Sequence, residues 1–570
     1  MFADRTNRSL LIREGVVISL YIIVIGRALC NLVGSGAGTK LRKTVPRFLK
    51  HLLTLRDSRS EDGKMEEDPT PIPSMGMRKA LILDDEGVIR GEETNQDASH
   101  TNSGMYLEKI VLCKVHHLSE TFTPTRTPNH EITVNTLGSP TFYNKLLGPK
   151  DCIIYEHVRD QNKPPTAKAF LRAGPRGKLH FNPTTVRGAI VTCGGLCPGL
   201  NSVIHHLVTT LLLTYKADKV FGIRGGFAGF YTEANPPIDL TVRSVELLQH
   251  QPGSMLGSSR GGFDLEKIIK FVVDNKVNQL FIIGGDGTHR GANRIANECI
   301  ERGLNISVSG IPKTIDNDLD LIDRSFGFIT SVEAAQAAIQ AATTEAKCNI
   351  PNGVGVVKLM GRSAGYIAAY STLASGAVDL CLIPEAPIVL YGANGCLPHI
   401  MKRVKDKGYA VVVVAEGAGE ELLGTSTATD PSGNKRLPAI GEFMKKIIEK
   451  AYAEKGEQCN VKYIDPSYMI RSVPANAFDQ IYCMQLAQNA VHGSMAGYTA
   501  FSSGVINNRT VYIPIPELVE NSPKNVNIYG RTWERVLTIT RQPNTVEPRE
   551  PRQGTNLEVR LTDMKLASES

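Results

Sequence analysis

The chain has 570 residues, 42 % of them hydrophobic and 21 % charged, with 52 Gly and 31 Pro; this excludes collagen-like, coiled-coil and wholly disordered chains and suffices for a large buried core. Aromatic residues make up only 6 %, with Trp533 alone of its kind, which argues against an aromatic stacking surface for single-stranded nucleic acid. The net charge of +7 is local: residues 1–59 hold eleven Lys and Arg against Asp4, Glu14 and Asp57, so the rest of the chain is nearly neutral and has no basic field for a nucleic-acid partner.

In chain order, the apolar run Gly15–Gly26 is shorter than the ~18–20 residues that span a bilayer, so no stable membrane insertion is expected. The Arg-rich, acid-poor arm to Arg59 has the character of an organellar transit peptide; a signal-peptide core or an untargeted extension are the competing readings. From Ser58 to Ser103 the chain is acidic and polar, with Pro69, Pro71 and Pro73 clustered, a linker composition that predicts disorder. Residues 1–105 are therefore read as an N-terminal extension. Residues 106–182, with the apolar stretches Lys109–Val115 and Cys152–Tyr155, are read as an accessory segment. Eleven cysteines without a CxxC pair indicate reduced thiols, and Cys193 and Cys197 lack further ligands at metal spacing.

From Val186 onward, short β-branched runs alternate with helix-length segments: Ala189–Thr192, Val220–Ile223, Leu280–Ile283, Ile306–Ile311, Val354–Leu359, Leu380–Ile383 and Ala410–Ala415. Such runs predict parallel βαβ units buried on both faces, in which ligands bind at the carboxyl ends of the strands. After the first run comes Cys193-Gly-Gly-Leu-Cys-Pro-Gly-Leu-Asn201, then a helix over Ser202–Leu213. A glycine pair at a strand-to-helix turn lets backbone N–H groups approach a phosphate, although glycine turns also serve packing. After Leu280–Ile283 comes Gly284-Gly-Asp-Gly-Thr-His289, then a helix to about Cys299; Asp286 stands where a carboxylate can hold Mg²⁺ beside a triphosphate, or cap the helix. After Ile306–Ile311 comes Pro312-Lys-Thr-Ile-Asp-Asn-Asp318, which combines a base, a cation and a hydroxyl in one turn.

These segments, followed by Lys358-Leu-Met-Gly-Arg362, resemble the 6-phosphofructokinase family, specifically its plant-type ATP-dependent branch, over about residues 165–545. The resemblance implies two doubly wound, Rossmann-like α/β lobes with the active site in the interlobe cleft. Residues 183–350 would form the nucleotide lobe, 351–545 the sugar-phosphate lobe and 546–570 a C-terminal tail, with the chain free to cross between lobes more than once. It also implies fructose 6-phosphate and ATP as substrates, Mg²⁺ as cofactor and a homotetramer. The location would be cytoplasmic, or the plastid stroma if residues 1–59 are a transit peptide. Lipid and NAD kinases share Gly-Gly-Asp-Gly but lack the later segments; a retired sensor of sugar phosphate or nucleotide would have no chemical need for Asp286, Thr314, Asp316 and Arg362 together.

By resemblance, Gly195, Arg260 and Gly261 hold nucleotide phosphates, Gly285, Asp286, Gly287 and Thr288 complete the nucleotide site, and Asp286 binds Mg²⁺. Thr314, Ile315 and Asp316 meet the sugar, with Asp316 as base and Asp318 supporting the metal or the loop. Met360, Gly361 and Arg362 bind sugar and stabilise the transferring phosphoryl group, Glu416 takes a sugar hydroxyl, and Tyr468 and Arg471 lie at the 6-phosphate end. Lys313 and Arg362 are expected to favour the Asp316 carboxylate. Donor choice falls on Gly287, which leaves room for ATP where pyrophosphate users carry Asp, and on Lys313, which pyrophosphate users share; ATP is the expected donor and pyrophosphate the alternative. Three departures stand out: Leu196 replaces a bacterial Asp, Phe227 a tyrosine against the adenine, and Gly353 a cross-subunit arginine, for which Lys358 or Lys462 is the expected substitute.

Overall fold

The computed structural model describes residues 82–83, 88–90, 109–124, 146–155, 166–424 and 437–547. The basic arm, most of the linker and the tail beyond residue 547 lie outside the described residues. The chain divides into two compact units, Met1–Arg78 and Lys79–Ser570; every described residue belongs to the second.

The seven runs named above are strands, joined by others, in two sheets. In the larger sheet, β6 (Arg187–Thr192), β7 (Lys219–Ile223), β9 (Gln279–Gly284), β10 (Ser307–Pro312) and β15 (Phe501–Ile506) lie parallel in the order β7-β6-β9-β10-β15. The antiparallel β8 (Ile238–Asp239) closes one edge. Beyond β15 the sheet continues through the antiparallel β16 (Arg509–Pro514) and β5 (Thr166–Arg172), then the parallel β3 (Lys109–Cys113); β4 (Cys152–Ile154) pairs with β5 off this path. In the smaller sheet, β11 (Gly353–Leu359), β12 (Leu380–Leu382), β13 (Tyr409–Ala415) and β14 (Asn460–Ile464) are all parallel, in the order β12-β13-β11-β14.

Alternation along each strand builds three layers of core. Ile190, Phe281 and Ile283 of the larger sheet and Val357, Val411 and Val413 of the smaller share one central cluster with the helices Leu200–Thr209, Phe328–Cys348, Tyr366–Ser375 and Ala477–Ala496. The neighbouring residues Val191, Leu280 and Ile282 turn the other way, onto the helices Leu265–Asp274 and Asp286–Glu301. Val354, Val356 and Val412 pack against the helices Cys396–Lys407 and Ile440–Ala453. Both sheets are thus covered on two faces, which is why their strands read as unbroken apolar runs. This is the doubly wound two-lobe frame expected from the sequence.

Four readings need correction. Within the linker, β1 (Ile82–Leu83) and β2 (Val88–Arg90) are paired strands, and β2 joins β3; two-residue apolar pairs are too short to show a period. The helix after β6 is Leu200–Thr209 and gives way to a π-turn, Thr210–Thr214. The helix after β9 begins at Asp286, so the glycine-rich motif forms its first turn. Finally, β15 and β16 return the chain from the smaller sheet to the larger one, so residues 501–514 of the segment read as a sugar lobe complete the other sheet.

Candidate active site

In register, Thr192 pairs with Ile283 and Gly284 with Pro312, so the turns after β6, β9 and β10 leave one edge of the larger sheet side by side. In the smaller sheet Leu359 pairs with Ala415, and Val357 with Ile464, which brings the turns after β11, β13 and β14 together in the same way. The two sets of turns line one cleft of about 1230 Å³. Gly195, Arg260, Gly261, Gly285, Asp286, Gly287, Thr288, Lys313, Thr314, Ile315, Asp316, Met360, Arg362, Glu416, Tyr468 and Arg471 all border it.

Gly361 stands behind that wall, at φ +135°, where an added Cβ would come within 2.6 Å of the Ala364 carbonyl. The Ile315 side chain is buried in the central core. Lys462 lies within β14, paired with Gly355, and is not among the residues bordering the cleft.

The glycines permit close approach. Gly194 is left-handed at φ +90° and donates its N–H to the Ser259 carbonyl, while Ser258 Oγ donates to the Gly194 carbonyl at 2.7 Å. A Cβ on Gly287 would meet nothing within 4 Å, and one on Gly195 would lie 3.9 Å from both Arg260 and Arg471. The two arginines expected at opposite substrates therefore flank one glycine. Phe227 is buried edge-to-face against Phe263, with ring centroids 5.3 Å apart, and both border the cleft with Arg294.

The acid turn is braced from within. Thr314 Oγ1 donates to Asp318 Oδ1 at 2.6 Å and accepts the Asp316 N–H at 3.3 Å; Asn317, at φ +56°, accepts the Ser325 N–H. Burial first, then the Asp318 and Glu416 carboxylates, push Asp316 up to about 8, opposed by the backbone N–H and the guanidinium of Arg362. Asp316 keeps a partly accessible face, yet its Oδ1 is sealed with no hydrogen-bond partner among the described residues. Burial, together with Asp286, also raises Asp318. The expectation that neighbouring cations favour the carboxylate thus holds for Arg362 but is outweighed by desolvation and like charge.

Lys313, although it shares the turn, does not act on this balance. Its ammonium is buried and donates to the Gly195 carbonyl at 2.6 Å, away from the acids that share its turn. Burial, aided by Arg260 and Arg471, lowers its pKa. Besides Arg362, Lys524 faces the acid turn: its backbone N–H donates to the Asp318 carbonyl at 2.6 Å, its ammonium donates to the Ile322 carbonyl at 2.9 Å, and its charge acts on Asp318. Lys358 pairs with Asp465 at 2.7 Å within the cleft. Gly353 lies at the opposite end of β11 from the cleft, where a Cβ would overlap the Ala346 carbonyl, so no arginine fits there. Cys193 and Cys197 are buried thiols, and burial pushes Cys193 up to about 12.

Sequence reasoning missed Phe263, Arg294, Asp465 and Lys524. Asp465 follows a strand, as the other site residues do, and recognising β14 would have found it. Lys524 is linked to Asp318 only by the fold.

A buried carboxyl facing glycine turns across a cleft fed by basic side chains has the makings of proton abstraction coupled to movement of a charged phosphate. The enzyme is thus a phosphotransferase of the doubly wound α/β class. Comparison with known proteins narrows this further: the chain belongs to the phosphofructokinase family, whose model matches residues 187–494. It is 49 % identical over 389 residues to ATP-dependent 6-phosphofructokinase 7 of Arabidopsis thaliana, covering 68 % of this chain and 79 % of that protein. It is 48 % identical over 375 residues to ATP-dependent 6-phosphofructokinase 5, chloroplastic, of the same plant, covering 66 % and 69 %. Among solved structures, a pyrophosphate-dependent phosphofructokinase from Marinobacter aquaeolei superimposes with a TM-score of 0.53 at 22 % identity, covering 64 % of this chain and 93 % of that one; at that identity the likeness concerns the fold alone.

Proposed function

We propose that this chain transfers the terminal phosphate of ATP to the 1-hydroxyl of fructose 6-phosphate, the committed step of glycolysis. The observation that carries the reading is the convergence of Asp286, Gly287, Asp316, Arg362 and Glu416, from four different strand ends, on one cleft.

Asp316 takes the proton of the attacking hydroxyl once it is ionised. Thr314 holds Asp318, and through its hydroxyl it fixes the Asp316 backbone. Arg260, Arg362 and Arg471 supply fixed positive charge to phosphate oxygens. Gly285 and Gly287, at the start of the helix Asp286–Glu301, offer backbone N–H groups and the positive end of the helix dipole. The edge-to-face pair Phe227 and Phe263 offers an apolar wall for the base.

The acids suit a divalent cation, since Asp286 and Asp318 repel one another and Asp316 Oδ1 has no hydrogen-bond partner among the described residues. Asp286 would hold Mg²⁺, and the ion, when bound, offsets the charge of the triphosphate. ATP as donor is supported by the open space at Gly287.

The exposed apolar side chains Met469, Phe478 and Ile481 support self-association, which resemblance sets at four copies. Among the described residues no helix is long and apolar enough to cross a membrane; a cytoplasmic location, or a plastid one, is the reading for the cell, and import of the first 59 residues fused to a reporter decides between them.

The test is a coupled assay with fructose 6-phosphate, Mg²⁺ and either ATP or pyrophosphate. Turnover with ATP is expected; turnover with pyrophosphate alone would overturn the donor assignment, and silence with both would overturn the activity.

A further inference from the structure

We propose that Lys524 and Glu385 are positioning residues, which hold the acid-bearing turn and the helix after Met360-Gly-Arg362 in register across the cleft. The proposal rests on the functional reading above, in that it assumes both elements act on one substrate pair.

The segment Val519–Val526 leaves the larger sheet and touches three functional elements in succession. At the nucleotide helix, Arg290 donates to the Val519 carbonyl at 2.7 Å. At the acid turn, Asp320 N–H donates to Ser522 Oγ at 2.8 Å, the Lys524 backbone N–H donates to the Asp318 carbonyl, and the Lys524 ammonium donates to the Ile322 carbonyl. At the smaller lobe, Tyr366 Oη donates to the Asn525 carbonyl at 2.8 Å. The Glu385 carboxylate then accepts the Val526 N–H at 2.7 Å and the Gly365 N–H at 3.0 Å.

Glu385 thus ties the start of the helix Tyr366–Ser375 to the segment whose Ser522 and Lys524 brace the acid turn. Carboxylates that accept backbone N–H groups in buried surroundings are strong, directional ties. Asp318, Asp320 and Asp323 all act electrostatically on Lys524, and with Lys313 committed to Gly195, Lys524 supplies the charge that offsets them. Neither residue borders the cleft, so both act through the groups they hold.

The experiment compares wild type, Lys524→Met, Lys524→Gln and Glu385→Gln, each also in an Asp316→Asn background. Lys524→Met, which keeps the backbone bond to Asp318 but loses the ammonium's charge and its bond to Ile322, should lower kcat about 10–100-fold, the range that a misplacement of about 1 Å produces, with both KM values within about 3-fold. Lys524→Gln, which retains a donor, should recover part of the loss. In the Asp316→Asn background the Lys524 effect should shrink to less than about 3-fold, since residues that act as a unit are not additive.

A kcat near wild type in folded Lys524→Met, or an equal fold-loss with and without Asp316, overturns the proposal. Amide exchange is the readout independent of turnover and covers Glu385→Gln as well: residues 314–325 and Gly365 should exchange at least about 10-fold faster in either variant, and unchanged exchange there overturns the strut. If wild type turns over no substrate, the functional reading falls, while the exchange result still decides the strut.

Discussion

Asp316→Asn removes a carboxyl that the fold holds protonated up to about pH 8, chiefly through burial and secondarily through Asp318 and Glu416. An unfolded chain releases that proton near pH ~4. Between these values the native state binds more protons than the unfolded one, so this group makes stability fall as pH rises from about 4 to about 8. The full shift would correspond to roughly 5 kcal/mol; because the carboxyl keeps a partly accessible face, cleft water screens much of this, and we expect roughly 1–3 kcal/mol. The Asn variant should therefore melt a few degrees higher than wild type at pH 8 and no higher at pH 4. Loss of a general base should at the same time cost about 10²–10⁴-fold in kcat. Differential scanning fluorimetry across pH 4–8, beside the coupled assay, reads both. A Tm difference independent of pH would refute the buried-charge argument, and a kcat close to wild type would remove Asp316 from proton transfer.

Gly287→Asp should fold normally, since a Cβ there meets nothing within 4 Å, yet place a carboxylate among the nucleotide phosphates. At about 5 Å and an effective dielectric near 20 the repulsion is roughly 3.3 kcal/mol, so KM for ATP should rise roughly 250-fold, and an unchanged value would sink the steric and electrostatic case for ATP. Because the base works only when ionised, kcat/KM should climb with pH through about 8, where Asp316 titrates in the free enzyme; a flat profile from pH 6 to 9 would assign the proton elsewhere. Gly353→Ala should lower stability by about 1–3 kcal/mol, since its Cβ would overlap the Ala346 carbonyl; a urea melt that matches wild type would show that β11 can shift away from its helix.

Much of the frame was legible because parallel strands buried on both faces announce themselves locally. Val411, Val412, Val413 and Val414 form an apolar run whatever partners they find, and glycines at a strand end mark where the backbone must approach something. The half-exposed β14, with only Val461 fully buried, carries no such run, and Asp465 was lost with it. β15 and β16 were missed as members of the larger sheet for a different reason: nothing within Phe501–Pro514 states which of two sheets it joins, and pairing with β10 settles that across nearly 200 residues.

The sequence alone determined the chemistry available: which acids, cations, hydroxyls and glycines follow which strands, and hence the reaction class, because strand ends and glycine turns are encoded by neighbouring residues. Tertiary structure decided the charge state and partnership of those groups. Lys313 shares a turn with Asp316 and Asp318 yet turns to the Gly195 carbonyl, and the acids are braced by Lys524 from the far end of the chain. Desolvation and Coulomb interaction depend on distance through space, which adjacency along the chain does not specify.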